Sequence, residues 1–288
     1  MKIGIIGAGK VGGAFCLGLT AAGFQVCGLT AASVATAQAA AVKFKKPVFA
    51  TNRELVAASG VLLLTVPDRL IAGVAQEVAD SAGGTLAGKI FYHCSGSLGL
   101  EVLAPLAELG AQIGSLHPLQ SFADSTASLR DIYLAIDGSP AAQAWGEKAA
   151  MQLGAHAFHV PAAERKAYHA AACFASNYVV TALAVAQGLM SKWTPSPQAA
   201  MAALLPLFAG TAQNLLQVQE AREALTGPIA RGDVGTVAAH LAVLPAAELA
   251  LYRALGQATV RLAVANGTIN ESQAALLEEV LNKNAKGA

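Results

Sequence analysis

The stretch KIGIIGAGKVGG, residues 2–13, decides how this chain folds. A short apolar run ends there in a Gly-x-Gly-x-x-Gly motif at Gly7, Gly9 and Gly12, and an alanine-rich helical pattern follows at once. In a dinucleotide-binding fold the first glycine allows a tight turn out of the strand. The second lets a pyrophosphate approach the backbone, and the third lets the helix pack closely on the sheet. Because the motif follows a predicted strand and precedes a predicted helix, it favours a dinucleotide-binding domain over a glycine-rich turn without a ligand.

The helix that follows this motif begins at Lys10 and Val11. The first N–H groups of a helix have no partner inside the helix, and the helix dipole is positive at that end. Both features favour a bound phosphate, so the backbone at Lys10 and Val11 is predicted to face the pyrophosphate of a dinucleotide.

Short apolar runs alternate with helical patterns over the first 160 residues. The run 60–66 (GVLLLTV) is continuously apolar, as is typical of strands buried in parallel sheets. The alternation predicts an α/β fold with a doubly wound, mostly parallel Rossmann sheet over residues 1–160. Residues 161–288 lack strand-like alternation and are predicted to form an all-helical domain for substrate binding and dimerisation. Further strands are predicted at 24–29, 47–49, 89–93, 111–116, 133–136 and 155–160, and a helix at 100–109.

The composition limits the partners that this chain can have. Of its 288 residues 55% are hydrophobic and 13% are charged, and the net charge is +1. Without a strong net charge, neither nucleic acid nor an anionic membrane is an expected partner. Apolar helices with few charges suit a large buried interface between subunits, so a homodimer through the helical domain is expected.

The segment Ala170–Met190 is apolar enough to raise the question of a membrane span. It contains polar residues, among them Ser176 and Gln187, so a buried core helix is the favoured interpretation. The N-terminus enters a strand directly, which leaves no room for a signal peptide, and the four cysteines lack C-x-x-C spacing. These features predict a cytoplasmic protein with reduced thiols. The six histidines show no spacing typical of a metal site, so no metal is expected.

The end of the second strand indicates which dinucleotide fits. NAD-binding folds place an acid there for the ribose 2′-OH, whereas this chain has Thr30 and Ser33, and its first acidic residue is Glu54. Hydroxyls and nearby lysines can accept a 2′-phosphate that a carboxylate would repel. NADP is therefore favoured over NAD, although Thr30 and Ser33 can also serve to start the next helix.

Ligands of open parallel sheets bind beyond the carboxyl ends of the strands, and several polar segments of this chain follow predicted strands. Val66 and Pro67 are placed to border the ribose or the nicotinamide; the alternative is an ordinary helix start. Ser95, beside Gly96 in the segment CSGS, is the best candidate to reach a substrate, with a Ser-Gly turn as the alternative.

His117 gives the sharpest indication of a catalytic site. It follows a predicted strand and is held by Pro118, at a position where a proton donor or acceptor would meet a hydride acceptor. An imidazole titrates near neutral pH, as that role requires. A structural histidine is the alternative interpretation.

A second group of polar residues shares one face of a predicted helix. His169, Cys173, Ser176 and Asn177 are spaced i, i+4, i+7 and i+8. Polar groups on an otherwise apolar helix need partners, which are either a substrate or neighbouring helices. Further along the chain, Arg231 fits either a substrate carboxylate or an acid of the protein.

Four stretches, in this order, resemble a known family: GAGKVG at 7–12, SLHPLQSF at 115–122, the helix 169–178, and LTGPIARGD at 225–233. Over essentially its whole length the chain resembles uncharacterised bacterial proteins with an N-terminal Rossmann-like domain and a helical C-terminal domain of unknown function. Such proteins are described as NADP-linked or deazaflavin-linked oxidoreductases. The resemblance therefore implies one of these two cofactors.

More distantly, the layout is similar to prephenate dehydrogenases, pyrroline-5-carboxylate reductases and 6-phosphogluconate-type dehydrogenases. The likeness to prephenate dehydrogenases implies that His117 handles the proton, that Ser95 assists it and that His169 contacts the substrate. This chain lacks the glycine-rich stretch that follows His-Pro in those enzymes. It also lacks the Lys-x-x-Asn helix motif of hydroxyacid dehydrogenases.

Together these patterns predict an NADP(H)-dependent oxidoreductase that transfers a hydride to or from a small C=O, C=N or hydroxyl carbon. His117 would move the proton, Ser95 and Asn177 would orient the substrate, and His169 would line the site. The alternative is a nucleotide-binding sensor or regulatory protein without catalysis. A poised histidine favours the enzyme, since a sensor does not need one.

Overall fold

The predicted strands join into one seven-stranded sheet in the computed structural model, which describes residues 1–283. The strands are β1 (Ile3–Ile6), β2 (Val26–Thr30), β3 (Val61–Leu64), β4 (Ile90–His93), β5 (Gln112–Leu119), β6 (Tyr133–Gly138) and β7 (His156–His159). The strand order is β2-β1-β3-β4-β5-β6-β7, and every neighbouring pair is parallel except β5 with β6. This confirms the mostly parallel α/β sheet.

Helices cover both faces of this sheet, which explains why β3 is continuously apolar. Alternate strand side chains point to opposite faces, so Leu63 and Tyr92 pack in one core while Leu62 and Phe91 pack in the other. The helices of this part are α1 (Lys10–Ala21), α2 (Val34–Phe44), α3 (Asn52–Ala58), α4 (Asp68–Ser81), α5 (Ala104–Glu108), α6 (Pro140–Leu153) and α7 (Arg165–Ala175). The first core is closed by α1, α2 and α6, and the second by α3, α4 and α5.

Three predicted elements differ in detail. The strand predicted at 47–49 is reduced to a single bridge between Leu29 and Val48. The helix predicted at 100–109 is a 3-10 turn followed by α5, because Pro105 lacks the N–H that a continuous helix would use and instead starts a new helix. Strand β5 runs past His117 to Leu119, since it pairs there with the antiparallel strand β6.

From Ala162 to Asn282 the regular structure is helical, as predicted. After α7 come α8 (Asn177–Met190), α9 (Pro197–Leu215), α10 (Val234–Val243), α11 (Ala246–Ala265) and α12 (Glu271–Asn282). A third core joins α10, α11 and α12 through side chains such as Val237, Val260 and Leu277. The α/β sheet followed by helices is therefore the fold class expected from the sequence.

The chain divides into two compact units, the first over Met1–Tyr178 and the second from Val179 onward. The last strand ends at His159, close to the domain limit placed at residue 160 from the sequence. The first unit extends further because α7 bonds to β5 through Tyr168 and to the loop after β4 through Arg165.

The helical run Ala162–Met190 is long and apolar enough to cross a membrane by length and composition, with a mean hydropathy of 1.4. The prediction of a buried core helix is wrong for the single chain, because no residue of α8 is buried. Phe174, Tyr178 and Val180 expose more than half of their surface. The apolar character of this segment is thus not explained by packing within the described residues.

Candidate active site

The register of the sheet brings the predicted site segments to one edge. Ile6 at the end of β1 pairs with Leu64, Leu64 pairs with His93, and His93 pairs with Ser115. The residues that follow these strands therefore emerge side by side at the carboxyl edge, where open parallel sheets bind their ligands.

The glycine motif forms a tight turn between β1 and α1. Gly7 has a φ of +108°, in the region that favours glycine, and the Thr65 hydroxyl donates to its carbonyl at 2.8 Å. A Cβ at Gly12 would lie 2.0 Å from the Gly7 carbonyl oxygen, so helix α1 packs directly on the turn. A Cβ at Gly9 would meet no atom of the described residues within 4 Å. The loop is closed on the protein side and open at Gly9, where a phosphate would approach.

The remaining predicted phosphate and nicotinamide contacts surround this loop. Lys10 and Val11 open α1 as predicted. Val66 borders the loop, because its Cγ1 lies 3.1 Å from the position of a Cβ at Gly7, and Pro67 occupies the N-cap position of α4. The N-termini of α1 and α4 therefore both lie at this edge of the sheet.

Thr30 and Ser33 have partners of their own. The Thr30 hydroxyl donates to the amide oxygen of Asn52 at 2.7 Å, and the Asn52 amide nitrogen donates to the Glu77 carboxylate. Ser33 caps α2 by accepting the N–H of Thr36 at 3.2 Å, and it is exposed. The Glu77 carboxylate is thus linked to Thr30 through the side chain of Asn52, a connection that the sequence did not indicate.

Ser95 is held inside a turn. It is 3% exposed, its hydroxyl donates to Asp68 at 2.6 Å, and it accepts the N–H groups of Ser97 and Leu98. The structure therefore places Ser95 beneath the site, where it shapes the loop that carries Gly96.

His117 forms a pair with a residue that the sequence analysis did not single out. Its Nδ1 lies 2.6 Å from the hydroxyl of Tyr168, and the two rings are nearly perpendicular. The ring centroid of His169 lies 6.1 Å from that of His117. Gly96 fits between them, since a Cβ there would lie 2.8 Å from Nε2 of His117 and 2.5 Å from Cδ2 of His169.

A buried cation lies behind this pair. Arg165 is fully buried, and one of its amino groups donates to the Ser95 carbonyl at 2.7 Å. Its other two nitrogens have no hydrogen-bond partner among the described residues. Burial, reinforced by this guanidinium, lowers the pKa of His117 to about 4. His117 is therefore a neutral imidazole at neutral pH, hydrogen-bonded to Tyr168.

A pocket of about 750 Å³ opens beside these side chains. His117, Tyr168, His169, Cys173 and Asn177 all line it, and its other lining residues also lie between residues 117 and 177, within the first unit. The structure thus brings together the predicted residues His117, His169 and Asn177, while Ser95 does not line this pocket.

Sequence reasoning missed Arg165, Tyr168 and Asp68. A signal for Arg165 existed, because it lies four residues before His169 and extends the same helical stripe by one turn. Tyr168 and Asp68 carried no such signal. In the second unit, Asp233 caps α10 by accepting the N–H of Thr236, and Arg231 lies in the 3-10 turn before it.

The buried histidines make stability depend on pH. His93 is fully buried, and burial, followed by the Arg165 charge, lowers its pKa from 6.5 to about 4. Between pH 4 and pH 6.5 the unfolded chain binds a proton at His93 that the folded chain does not. The contribution of neutral His93 to the free energy of unfolding is therefore fully present above pH 6.5 and is lost as the pH falls toward 4. We expect His93→Leu to remove on the order of 3 kcal/mol of this loss.

Urea melts between pH 4 and pH 7 measure the effect. His240→Gln, which replaces an imidazole of the second unit, serves as the control. Equal pH dependence of His93→Leu and the unmodified protein would show that folding does not shift the pKa of His93.

Two family profiles match the chain. A Rossmann-like domain matches residues 1–118, and a domain of unknown function, DUF2520, matches residues 132–259. They confirm the resemblance inferred from the four stretches of sequence. A search of curated proteins finds no match.

Solved structures share the fold. A candidate NADP oxidoreductase from Bacteroides fragilis has 22% identity and a TM-score of 0.71, over 90% of this chain and 98% of that one. A pyrroline-5-carboxylate reductase from Coxiella burnetii has 15% identity and a TM-score of 0.60, over 98% of each chain. A reductive aminase from Aspergillus terreus, in complex with NADPH and ethyl-5-oxohexanoate, has 15% identity and a TM-score of 0.60, over 97% of this chain and 92% of that one. At these identities the similarity shows a common fold.

Proposed function

We propose that this protein, which combines a Rossmann-like domain with a DUF2520 domain, is an NADP(H)-dependent oxidoreductase acting on a small substrate. One observation carries the proposal. The hydrogen-bonded pair of His117 and Tyr168 lines a pocket, and β5, which carries His117, lies in the same parallel part of the sheet as β1, which leads into the glycine loop. Hydride transfer to a carbonyl or imine needs a nearby group that exchanges a proton, and this pair supplies one.

Bound NADPH would supply the hydride at nicotinamide C4. The open face at Gly9 and the start of α1 at Lys10 and Val11 would hold its pyrophosphate. Val66 and Pro67 would border the ribose or nicotinamide. His117 and Tyr168 would move the proton, His169 and Asn177 would orient the substrate, and Ser95 would keep Gly96 close to both imidazoles.

NADP is the favoured nucleotide. Ser33 offers an exposed hydroxyl in place of the acid that binds a free ribose 2′-OH, whereas the Thr30 hydroxyl already donates to Asn52. Of the three solved structures compared above, the reductive aminase is in complex with NADPH, and the descriptions of all three name no deazaflavin. We therefore expect tighter binding of NADPH than of NADH.

The nucleotide preference can be tested at Ser33. Ser33→Asp keeps a good helix cap but puts a carboxylate beside the expected 2′-phosphate, so the preference for NADPH over NADH should fall by about tenfold or more. Ser33→Asn caps the helix without the charge and should retain the preference. Titration with each nucleotide, followed by nicotinamide fluorescence, gives the result. A preference unaffected by Ser33→Asp would place the 2′-phosphate elsewhere.

The same titration separates the enzyme from a nucleotide-binding sensor. If neither nucleotide binds, both proposals fail. If NADPH binds but is not oxidised with any member of a panel of ketones, keto acids and imines, the sensor is favoured. Oxidation of NADPH with any of them favours the enzyme.

We also propose that the protein is a homodimer through its helical region and is cytoplasmic. Helices α8 and α9 present large apolar side chains to solvent, including Val180, Leu205 and Leu207. Exposed apolar area of this extent is typical of a subunit interface. A second copy of the chain is the occupant that we expect, since equivalent faces bury each other in a symmetric dimer.

Leu207→Glu should convert this dimer to a monomer. Leu207 is 71% exposed in the single chain, so a charge there harms folding little but opposes an apolar interface. Light scattering measures the mass, and Val42→Glu, at a residue that is 80% exposed on α2, is the matched control. A monomeric unmodified protein, or one that requires detergent to remain dispersed, would contradict the dimer.

A further inference from the structure

We infer, on the premise of the proposed hydride transfer, that the pocket takes an uncharged carbonyl compound with an apolar body rather than an iminium ion or a carboxylate. The inference rests on which side chains line the pocket and on the unpaired cation buried behind it.

No side chain that lines the pocket carries a permanent charge. Its apolar part includes Leu119, Phe158 and Ala172, and its polar part consists of hydroxyl, amide, thiol and imidazole groups. None of the side chains that line it belongs to Asp, Glu, Lys or Arg. An ion placed against this lining would lose its hydration without direct contact with an oppositely charged Asp, Glu, Lys or Arg side chain, which is costly. A neutral molecule with an apolar body loses much less hydration free energy than an ion, and burial of its apolar surface stabilises the complex.

The cation behind the pocket decides between a carbonyl and an iminium. Arg165 is fully buried, contacts the Ser95 carbonyl and has two nitrogens without partners among the described residues. Its charge stabilises negative charge that develops nearby and opposes positive charge. Reduction of a carbonyl develops negative charge on oxygen, whereas reduction of an imine requires a cationic iminium.

The acids nearby do not cancel the effect of this cation on His117. Asp137 acts on Arg165 itself, where it favours the charged form of the guanidinium. Asp68 accepts hydrogen bonds from the hydroxyls of Ser95 and Ser97, and its effect on the pKa of His117 is weaker than that of Arg165. His117 remains neutral at neutral pH because of burial and the guanidinium. His117 is therefore not an imidazolium that could protonate an imine in advance, and no carboxylate lines the pocket to stabilise an iminium.

The chemical step balances with the groups present. The carbonyl carbon accepts the hydride, with its electron pair, from C4 of the reduced nicotinamide, and a C–H bond forms as the C=O π pair moves onto oxygen. The hydrogen-bonded pair of Tyr168 and His117 gives one proton to that oxygen, so the product is an alcohol. Solvent then restores the proton to the pair.

Two matched pairs of compounds test the substrate class with the full-length protein and NADPH. Phenylcyclopentanone is compared with phenylpyrroline, and benzylacetone with benzylpyruvate, at neutral pH. We expect kcat/KM for each neutral ketone to exceed that of its partner by about tenfold or more. A higher value for phenylpyrroline or for benzylpyruvate would overturn the inference while supporting the oxidoreductase.

A designed charge tests the cause of the selectivity. Ala172 lines the pocket and is half-buried, so Ala172→Asp places a carboxylate there, and Ala172→Asn is its neutral match. Ala172→Asp should shift the ratio of imine to ketone turnover toward the imine by about tenfold, and Ala172→Asn should not. An unchanged ratio in Ala172→Asp would show that pocket charge does not set the selectivity.

Binding separates failure of this inference from failure of the proposed function. If NADPH binds but no compound is reduced, the oxidoreductase is wrong, and the affinities of the four compounds for the protein–NADP complex still report the charge preference of the pocket. Tighter binding of the neutral ketones upholds that preference. Equal or tighter binding of benzylpyruvate or phenylpyrroline, or no binding by any of the four, overturns it.

Discussion

Replacing His117 with alanine is expected to lower turnover by about a hundredfold or more while leaving the affinity for NADPH nearly unchanged. The imidazole lines the pocket and shares a short hydrogen bond with Tyr168, so its loss removes half of the proton-exchanging pair. The glycine loop does not include His117 and should still bind the nucleotide. Stopped-flow oxidation of NADPH and a fluorescence titration measure the two quantities separately.

Two further variants make this result specific. Tyr168→Phe removes the hydroxyl bonded to His117, and if the two act as a unit, the double variant should be little worse than either single one. The second unit contains a comparable pair, in which Nδ1 of His240 lies 2.8 Å from the Tyr252 hydroxyl. His240→Ala removes that imidazole and should leave turnover within about twofold. Normal turnover in His117→Ala would remove His117 from the mechanism.

Gly9→Ala is expected to weaken the binding of NADPH, whereas Gly12→Ala is expected to destabilise the fold. At Gly9 a Cβ meets no atom of the described residues within 4 Å, so Gly9→Ala should fold normally. The added methyl group would occupy the space that a pyrophosphate needs, and the affinity for NADPH should fall by roughly a hundredfold. At Gly12 a Cβ would lie 2.0 Å from the Gly7 carbonyl oxygen. That conflict is with backbone, so Gly12→Ala should lower the free energy of unfolding by about 3 kcal/mol or more.

Urea melts and nucleotide titrations of both variants distinguish these effects. A Gly9→Ala protein that binds NADPH as tightly as the unmodified chain would show that the dinucleotide does not use this loop. A Gly12→Ala protein of normal stability would show that α1 can move away from the turn.

The sequence predicts the sheet well because its signals are local. The motif at Gly7, Gly9 and Gly12 and the apolar run of β3 each indicate a strand or turn from adjacent residues alone. The polar contacts of the site are different in kind. His117 and Tyr168 are 51 residues apart, and Arg165 and Ser95 are 70 residues apart, so no local pattern could pair them.

Burial was also harder to predict than helix formation. The apolar composition of α8 indicated a helix correctly, but composition cannot distinguish a core within one chain from a surface that another molecule covers. Likewise, Ser95 was correctly expected after a strand, yet its bond to Asp68 depends on where α4 begins relative to that strand.

Because Gly96 has no side chain, a single codon controls how closely the imidazoles of His117 and His169 approach each other. Any side chain there would have to displace His117, His169 or both, and alanine is a single nucleotide change away from glycine. In a saturation library selected for function, position 96 should therefore tolerate fewer substitutions than an exposed position such as Val42, although it carries no reactive group. A low tolerance of substitution at Gly96 would reflect the geometry of the site alone, because Gly96 has no side chain that could take part in the reaction.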